Sequence, residues 1–438
     1  MKKALLSVLL ASSFVANAQF WTEKATGFAT PARTSNSISI VDANVIWANE
    51  FDNASQDYTL KGFTLSTNGG ESWTPGSIDL GPNTAGLGIS SITAASDLIA
   101  WVSTYPETGD LGGVWKTTDG GITWAQQTTA LFNNPIESYA NCVYFWDANN
   151  GIALGDPESG EFEIYTTNDG GSNWTRVDGA NIPDPDIAGE FGIFNRYTFS
   201  GNSIWFGTDL GRIYRSTDNG LNWTVVTSPA GTDFWFDRLT FSDTNKGLLM
   251  QYYDTTTLYK TIDGGDTWNP VTTSGFYNTD IAYIPGTSII VSASTANPLG
   301  SSYSTDDGTT WIAIDGVSHG TLAFLNSSFG FSAGETINST TGGIFKFTGI
   351  PLKTPNFDIK NQISFYPNPT NGILHLDSEK SLIKQATVFD LLGRQVFDSK
   401  FSALNKANLD LKSLQTGAYV LKVTSDTGKT ETMKIMKN

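Results

Sequence analysis

The chain has 438 residues, of which 16% are charged, 12% are aromatic and 44 are glycine; 26 Lys/Arg against 43 Asp/Glu leave a net charge of −17. So few charges with so many glycines and aromatics exclude a coiled coil or a disordered chain and favour short strands joined by tight turns. The acidity is uneven, since residues 19–358 hold 13 Lys/Arg and 36 Asp/Glu while residues 359–438 hold 11 and 7. The longer part therefore repels phosphate backbones, and no nucleic-acid partner is expected.

Met1–Ala18 reads as a secretory signal: Lys2 and Lys3, an apolar run Leu5–Val15, then the small-residue cleavage site Ala16-Asn17-Ala18. The mature chain is expected to begin at Gln19. No later stretch approaches the roughly 18 apolar residues of a membrane span, so no transmembrane segment is expected. Cys142 is the sole cysteine, which excludes an intramolecular disulfide. It lies on an expected strand between Asn141 and Val143 and reads as a small buried hydrophobe.

Six boxes with the pattern Ser/Thr-x-Asp-x-Gly-x-x-Trp follow: Ser66–Trp73, Thr117–Trp124, Thr167–Trp174, Ser216–Trp223, Thr261–Trp268 and Ser304–Trp311, with Asn68 replacing Asp in the first. Their tryptophans are 51, 50, 49, 45 and 43 residues apart. A short apolar strand precedes each box and another follows each Trp. With two further strands upstream, as in Val143–Asp147 and Ile152-Ala153-Leu154, each period is a four-stranded unit of the kind that forms a propeller blade. The pattern Gly342-Gly343-Ile344-Phe345-Lys346 repeats Gly112-Gly113-Val114-Trp115-Lys116 without a box after it. The missing strand is found at the other end of the chain, where Phe20-Trp21-Thr22-Glu23 matches the strands that follow boxes. The expected fold class is all-β: a seven-bladed β-propeller closed by an N-terminal strand, followed by a small Ig-like β-sandwich.

The box resembles the Asp-box, or bacterial neuraminidase repeat, of β-propellers found in sialidases, sortilin-like receptors, xyloglucanase-type glycosidases and photosystem-assembly-factor-like proteins. The resemblance covers roughly residues 19–350. Its residues, Asn68, Asp119, Asp169, Asp218, Asp263 and Asp306 with Trp73, Trp124, Trp174, Trp223, Trp268 and Trp311, read as structural. A carboxylate can accept backbone N–H bonds inside its own turn, Gly supplies the positive φ, and Trp supplies apolar area. Sialidases carry an early Arg in a Phe/Tyr-Arg-Ile-Pro motif. The nearest counterpart, Pro31-Ala32-Arg33-Thr34, lacks it, which argues against that activity. Xyloglucanase-type enzymes use two propellers around a cleft, and one is expected here.

Ile350-Pro351-Leu352-Lys353-Thr354-Pro355-Asn356 reads as a linker. The organisation expected is thus a signal at 1–18, a propeller at 19–349, a linker at 350–359 and a C-terminal module at 360–438. In the module, Tyr366-Pro367-Asn368-Pro369, the Leu392-Gly393-Arg394 turn, Gly417-Ala418-Tyr419-Val420-Leu421-Lys422-Val423 and a Lys-containing tail resemble the sorting domain of the type IX secretion system. That resemblance implies the secretion machinery as a partner and export through the periplasm to the outer surface or medium, in a bacterium of the Bacteroidetes type.

Chemistry is sparse. His319 and His375 are the only histidines, and His319, between Ser318 and Gly320, reads as an exposed loop residue rather than part of a Ser-His-Asp or metal site. No calcium loop of the Asp-x-Asp-x-Asp-Gly type occurs, and no cofactor or metal is expected. A carboxylate-pair glycosidase needs no His, and Asp156, Glu158, Glu161 and Glu163 supply acids. Aligning the first strand of each period places Ser37, Ser91, Cys142, Arg196, Arg238, Ile281 and Thr321 at one position. Two arginines fall in adjacent units, near Trp235 and Glu190, where they can grip a carboxylate while rings stack on sugars. The alternative is that both simply pair with neighbouring acids. The expected function is recognition of an extracellular glycan or protein through Arg196, Arg238, Trp235, Glu190 and Asp156. The alternative is a carbohydrate hydrolase using the same region.

Overall fold

Strand follows strand through the described residues, with one 3₁₀ turn at Gly179–Asn181 and no α-helix among them. The computed structural model describes residues 20–438 except 53, 55–58, 108–110, 135–137, 187–188, 230, 232–237, 252–253, 255, 351–362, 379–380, 392 and 429, and the side chains of 194 and 195. The expected signal at 1–18 and most of the expected linker lie outside the described residues. Two units divide at Pro351 and Leu352. No described helix is long and apolar enough to cross a membrane.

In the first unit the described strands form seven antiparallel four-stranded sheets, six of them ordered as the chain runs, and a two-stranded pair of Arg33–Thr34 with Phe51–Asp52. Their first strands are Ile38–Ile40 (sheet 1), Leu87–Ala94 (sheet 2), Ala140–Phe145 (sheet 3), Gly192–Ser200 (sheet 4), Arg238–Phe241 (sheet 5), Asp280–Tyr283 (sheet 6) and Leu322–Asn326 (sheet 7). Sheet 7 continues through Phe329–Asn338 and Thr341–Phe347 and takes its fourth strand from Trp21–Ala25, with Trp21 opposite Phe347 and Ala25 opposite Gly343. This is the pairing that the boxless repeat called for. First strands touch in order from sheet 1 to sheet 7, and sheet 7 touches sheet 1 again.

The core is divided in the same way. Each pair of neighbouring sheets encloses its own apolar layer, from Trp47 and Phe63 against Leu87 and Val102 between sheets 1 and 2, to Phe331 and Ile344 against Ile46, Ala48 and Trp73 between sheets 7 and 1. Flat aromatic stacks bridge some layers, with Trp101 on Phe145 at 3.5 Å and Trp205 on Phe241 at 3.7 Å between ring centroids. Large rings suit this role because they bury much apolar area with few rotatable bonds.

The boxes are turns that consume their own polar groups. In the fourth, Ser216 Oγ donates to Asp218 Oδ1 at 2.8 Å and accepts the Gly220 N–H at 2.9 Å. Asp218 Oδ1 also accepts the Asn222 N–H at 2.9 Å, and Asp218 Oδ2 accepts from Asn222 Nδ2 at 2.7 Å. Asn68 keeps the scheme by donating through Nδ2 to Ser72 Oγ at 2.8 Å while Oδ1 accepts the Ser72 N–H. The glycine is demanded twice. Gly220 has φ +86°, and a Cβ there would stand 2.2 Å from Ile152 Cδ1 of sheet 3. Trp223 Nε1 donates back to the Gly220 carbonyl at 2.8 Å. At Asp263 burial raises the carboxyl but the Thr267 and Thr261 bonds outweigh it, leaving it at about 2. These carboxylates are spent on turn geometry.

A cation one residue before the box hydroxyl reaches into the next sheet's box. Lys116 Nζ donates to the Gly170 carbonyl at 2.7 Å, Arg215 Nη1 to Asp266 at 2.9 Å, and Lys260 pairs with Asp307 at 3.4 Å. At the ring seam Lys346 and Lys24, both on sheet 7, meet Glu71 of the first box at 2.5 and 2.6 Å.

The second unit contains a three-stranded sheet (Ile363–Tyr366, Ile373–Ser378, Lys406–Asp410) and a four-stranded sheet (Gln395–Leu404, Ile383–Phe389, Gly417–Ser425, Thr430–Lys437). Alternate residues of both, including Leu374, Leu376, Leu409, Val388, Leu421 and Ile435, share one buried core.

Candidate functional site

Cross-strand register fixes which residues are equivalent on the seven first strands. Ser91 lies opposite Ser103, Cys142 opposite Leu154, Arg238 opposite Met250 and Asp280 opposite Ala293. The equivalent tier is therefore Ser37, Ser91, Cys142, Arg196, Arg238, Asp280 and Thr321. Asp280, not Ile281, occupies it in sheet 6. Bulges just before Ser91 and Cys142, and a larger irregularity before Tyr197, obscure this alignment in the sequence.

The tier has a structural task in several sheets. Ser37 Oγ accepts the Ile92 N–H at 3.1 Å, Ser91 Oγ accepts the Val143 N–H at 2.9 Å, and Asp280 Oδ2 accepts the Leu322 N–H at 2.8 Å. Each bond ties one first strand to the next. Arginine has no acceptor, so sheets 4 and 5 cannot make this bond through Arg196 and Arg238. Arg238 turns its Nε to Asp280 Oδ1 at 3.0 Å, as the ion-pair alternative anticipated. Asp280 is buried, and burial raises its carboxyl against the lowering pull of Arg238 and the Leu322 N–H. Arg196 is half-buried on Gly192–Ser200.

The remaining candidates are placed as follows. Asp156, half-buried on Gly151–Glu158, accepts through Oδ1 from Asn141 Nδ2 at 2.5 Å and from the Gly192 N–H at 2.9 Å, so it joins sheets 3 and 4. Loss of water around it dominates, and its carboxyl is pushed up to about 7, with Asp209 and Glu163 adding to the rise. Burial likewise pushes the nearby Tyr197 phenol far above its ordinary range. Glu190 is buried and fully engaged: Arg212 Nη1 at 2.9 Å, Thr208 Oγ1 at 2.5 Å and the Asp186 N–H at 2.6 Å all donate to it. Trp235, with Phe234, Phe236 and Asp237, lies outside the described residues. Among the other acids, Glu163 is buried and accepts from Tyr165 Oη at 3.1 Å, Glu158 pairs with Arg176 at 3.4 Å, and Glu161 is exposed. Arg33 pairs with Glu50 and Asp52.

Two residues that sequence reasoning left out, Asn141 and Asp280, hold candidate side chains in place. His319 also departs from expectation. It is fully buried, packed between Trp21 and Phe345 at 5.1 and 4.5 Å, with Nε2 3.1 Å from Asp315 Oδ2. The cover comes from the N-terminal strand, whose Trp21 Nε1 donates to Ser301 Oγ, itself bonded to Asp315. Cys142 is buried, and burial pushes its thiol up to about 12, so it is no nucleophile. No group of three or more His, Cys, Asp or Glu able to hold a metal occurs among the described residues.

Comparison with known proteins follows the division into two units. Residues 364–438 match the family described as the secretion system C-terminal sorting domain. Residues 104–233 match photosynthesis system II assembly factor YCF48. A xyloglucanase of Hypocrea jecorina (strain QM6a) is 25% identical over 207 residues, which make up 39% of this chain and 24% of that enzyme. The chain thus spans about a quarter of the length of this curated relative. Among solved structures, YCF48 bound to D1 peptide is 15% identical with a TM-score of 0.53, covering 76% of this chain and 97% of that one. YCF48 from Cyanidioschyzon merolae is 16% identical with a TM-score of 0.53, covering 75% and 98%. At such identities the likeness is one of fold. The chain carries Asp-box β-propeller repeats followed by a type IX secretion sorting domain, which implies contact with the secretion machinery and export to the cell surface or beyond.

Proposed function

We propose that the chain is a seven-bladed propeller, delivered by an Ig-like sorting module, that binds an extracellular glycan or protein at the tier bearing Arg196 and Arg238. The blade count is supported by seven sheets whose first strands touch in a closed order. The function is supported by one observation above all: two adjacent sheets place arginine where other sheets use a side-chain acceptor to tie strand to strand. Positions that abandon a structural rule kept elsewhere are where function is to be sought. A guanidinium offers a planar fork for a carboxylate on a sugar or peptide. Binding is favoured over hydrolysis because Glu190 is held by Arg212, Glu158 by Arg176, and Asp156 by Asn141 and Gly192.

A second reading rests on Asp156. A carboxyl near 7 is suited to donate a proton to a leaving oxygen, so a carbohydrate hydrolase is the competing function. The purified full chain, incubated with a panel of neutral and acidic polysaccharides and sialosides, separates the two. Retention without released sugar, weakened at least tenfold by Arg196→Ala, is the expected result. Sugar release that disappears in Asp156→Asn would replace the binding reading with the hydrolytic one.

A further inference from the structure

Gly192 moors the strand that bears Arg196 to sheet 3. Its N–H donates to Asp156 Oδ1 at 2.9 Å, and its carbonyl accepts from Asn141 Nδ2 at 3.4 Å. Asn141 is buried and also donates to Asp156 Oδ1, at 2.5 Å, which closes a joint between sheets 3 and 4. The approach is close: a Cβ on Gly192 would stand 3.2 Å from Asn141 Nδ2 and 3.3 Å from Tyr197 Oη. Both bonds to Asp156 fall on Oδ1, which leaves Oδ2 to carry a proton.

The backbone beyond this joint is irregular. Gly192 pairs with Thr208 and Tyr197 with Phe206, so residues 193–196 stand opposite Gly207. Arg196 is the last residue of that bulge. The flanks are fixed independently of Asp156. Upstream, the Phe191 N–H donates to Asp209 Oδ1 at 2.9 Å, and Glu190 is held by Arg212. Downstream, Tyr197 packs on Phe206 with ring centroids 5.7 Å apart. The joint can therefore open without unfolding the sheet on either side, and what it releases is the segment that positions Arg196.

Among the described residues, the bonds to Asp156 come from an amide and a backbone N–H and not from a cation. The titratable groups around it are Glu163 on Glu161–Thr167, Asp209 just after Ser203–Thr208, Tyr197 on the strand of Arg196 itself, and Cys142 on Ala140–Phe145. Burial keeps Tyr197 and Cys142 protonated, so the charges that vary here belong to acids, which oppose one another. Burial first, and then Asp209 and Glu163, push the Asp156 carboxyl up to about 7. We propose that Asp156 is a proton-operated latch on the Arg196 segment: neutral, it holds Gly192 against sheet 3, and ionised, it draws in water and lets Gly192 go. Ligand binding at the tier is then proton-linked, strong in mild acid and weak in mild alkali. The linkage to binding rests on the function proposed above, whereas the latch itself does not.

The test follows amide hydrogen exchange at Gly192 and across Ser203–Thr208 in the purified full chain from pH 5.5 to pH 8.5, corrected for the intrinsic pH dependence of exchange. Polygalacturonate, whose carboxylates stay ionised over this range, is the binding probe. Protection at Gly192 should fall at least tenfold as pH rises through about 7 while Ser203–Thr208 stays protected, and retention of polygalacturonate should weaken at least fivefold in step. Asp156→Asn should hold protection and retention at their acid-side values up to pH 8.5, whereas Glu163→Gln should keep the wild-type profile. Protection at Gly192 that stays flat or rises with pH, or a profile abolished by Glu163→Gln and not by Asp156→Asn, overturns the latch. Opening at Gly192 with retention unchanged overturns the link to binding. Should Asp156→Asn fail to fold, the wild-type and Glu163→Gln profiles decide by the same criteria. Absence of retention at every pH, with the exchange profile as expected, would instead count against the binding function and support the latch alone.

Discussion

Replacing Asp156 with Asn should abolish part of the protein's pH dependence of stability. In the folded chain the carboxyl is pushed up to about 7, chiefly because burial strips its water, while in the unfolded chain it titrates near 3.9. Between about pH 4 and pH 7 the folded state therefore keeps a proton that the unfolded state has released. Stability from this group is fully present below about pH 4 and is lost as pH rises through 7. Each unit is worth about 1.4 kcal/mol, so the window of about three units corresponds to at most about 4 kcal/mol. Asn has the same shape and no charge at any pH. Its Oδ1 can still accept from Asn141 Nδ2 and the Gly192 N–H, now 2.5 and 2.9 Å from Asp156. Urea unfolding of wild type and Asp156→Asn from pH 4.5 to pH 8, followed by tryptophan fluorescence, should give curves that nearly coincide at the acid end. They should diverge with rising pH until the variant is the more stable by a few kcal/mol. Parallel curves, or a variant less stable at pH 8, would show that Asp156 works as an anion and that the argument is wrong.

Arg238→Met should cost about 3 kcal/mol in urea unfolding, because it strands the buried Asp280 carboxylate that now accepts from Arg238 at 3.0 Å. Adding Asp280→Asn should recover much of this, and strictly additive losses would contradict a coupled pair. Asp218→Ala should lower stability by about 2 kcal/mol by orphaning the Asn222 N–H and the Ser216 hydroxyl. Asp218→Asn should stay within about 0.5 kcal/mol, since Asn68 already serves in the first box. Equal melting shifts for the two Asp218 variants would refute the turn-capping role.

What could be read from the sequence was whatever is settled within a few residues. The boxes announce themselves because the side-chain hydrogen bonds of Ser216, Asp218 and Trp223 close inside eight residues. Long-range features were legible only where a repeat was visibly incomplete, as with Trp21 and the boxless strand before Phe347. His319 was misread because its cover, Trp21, is supplied by the far end of the chain. The tier residue of sheet 6 was placed one position late because apolar pattern alone cannot register a strand past the bulges of sheets 2 and 3. Nor could spacing tell that Glu190 turns to Arg212 rather than to Arg196.

The strand Trp21–Ala25 has a consequence in time as well as in space. It is the first described strand to be synthesised, yet its one sheet partner among the described residues, Thr341–Phe347, follows it by more than 300 residues. Until that partner has emerged, the edge of Trp21–Ala25 has nothing to pair with, and the layer between sheets 7 and 1 has no second wall. Contacts between such distant segments form late and slowly. A chain on its way out of the cell thus stays open at the seam until almost the whole propeller has been made, and a prematurely ended chain would present two bare edges to its neighbours. Closure acts as a check on completeness: only a full-length propeller hides both ends of its own sheet order.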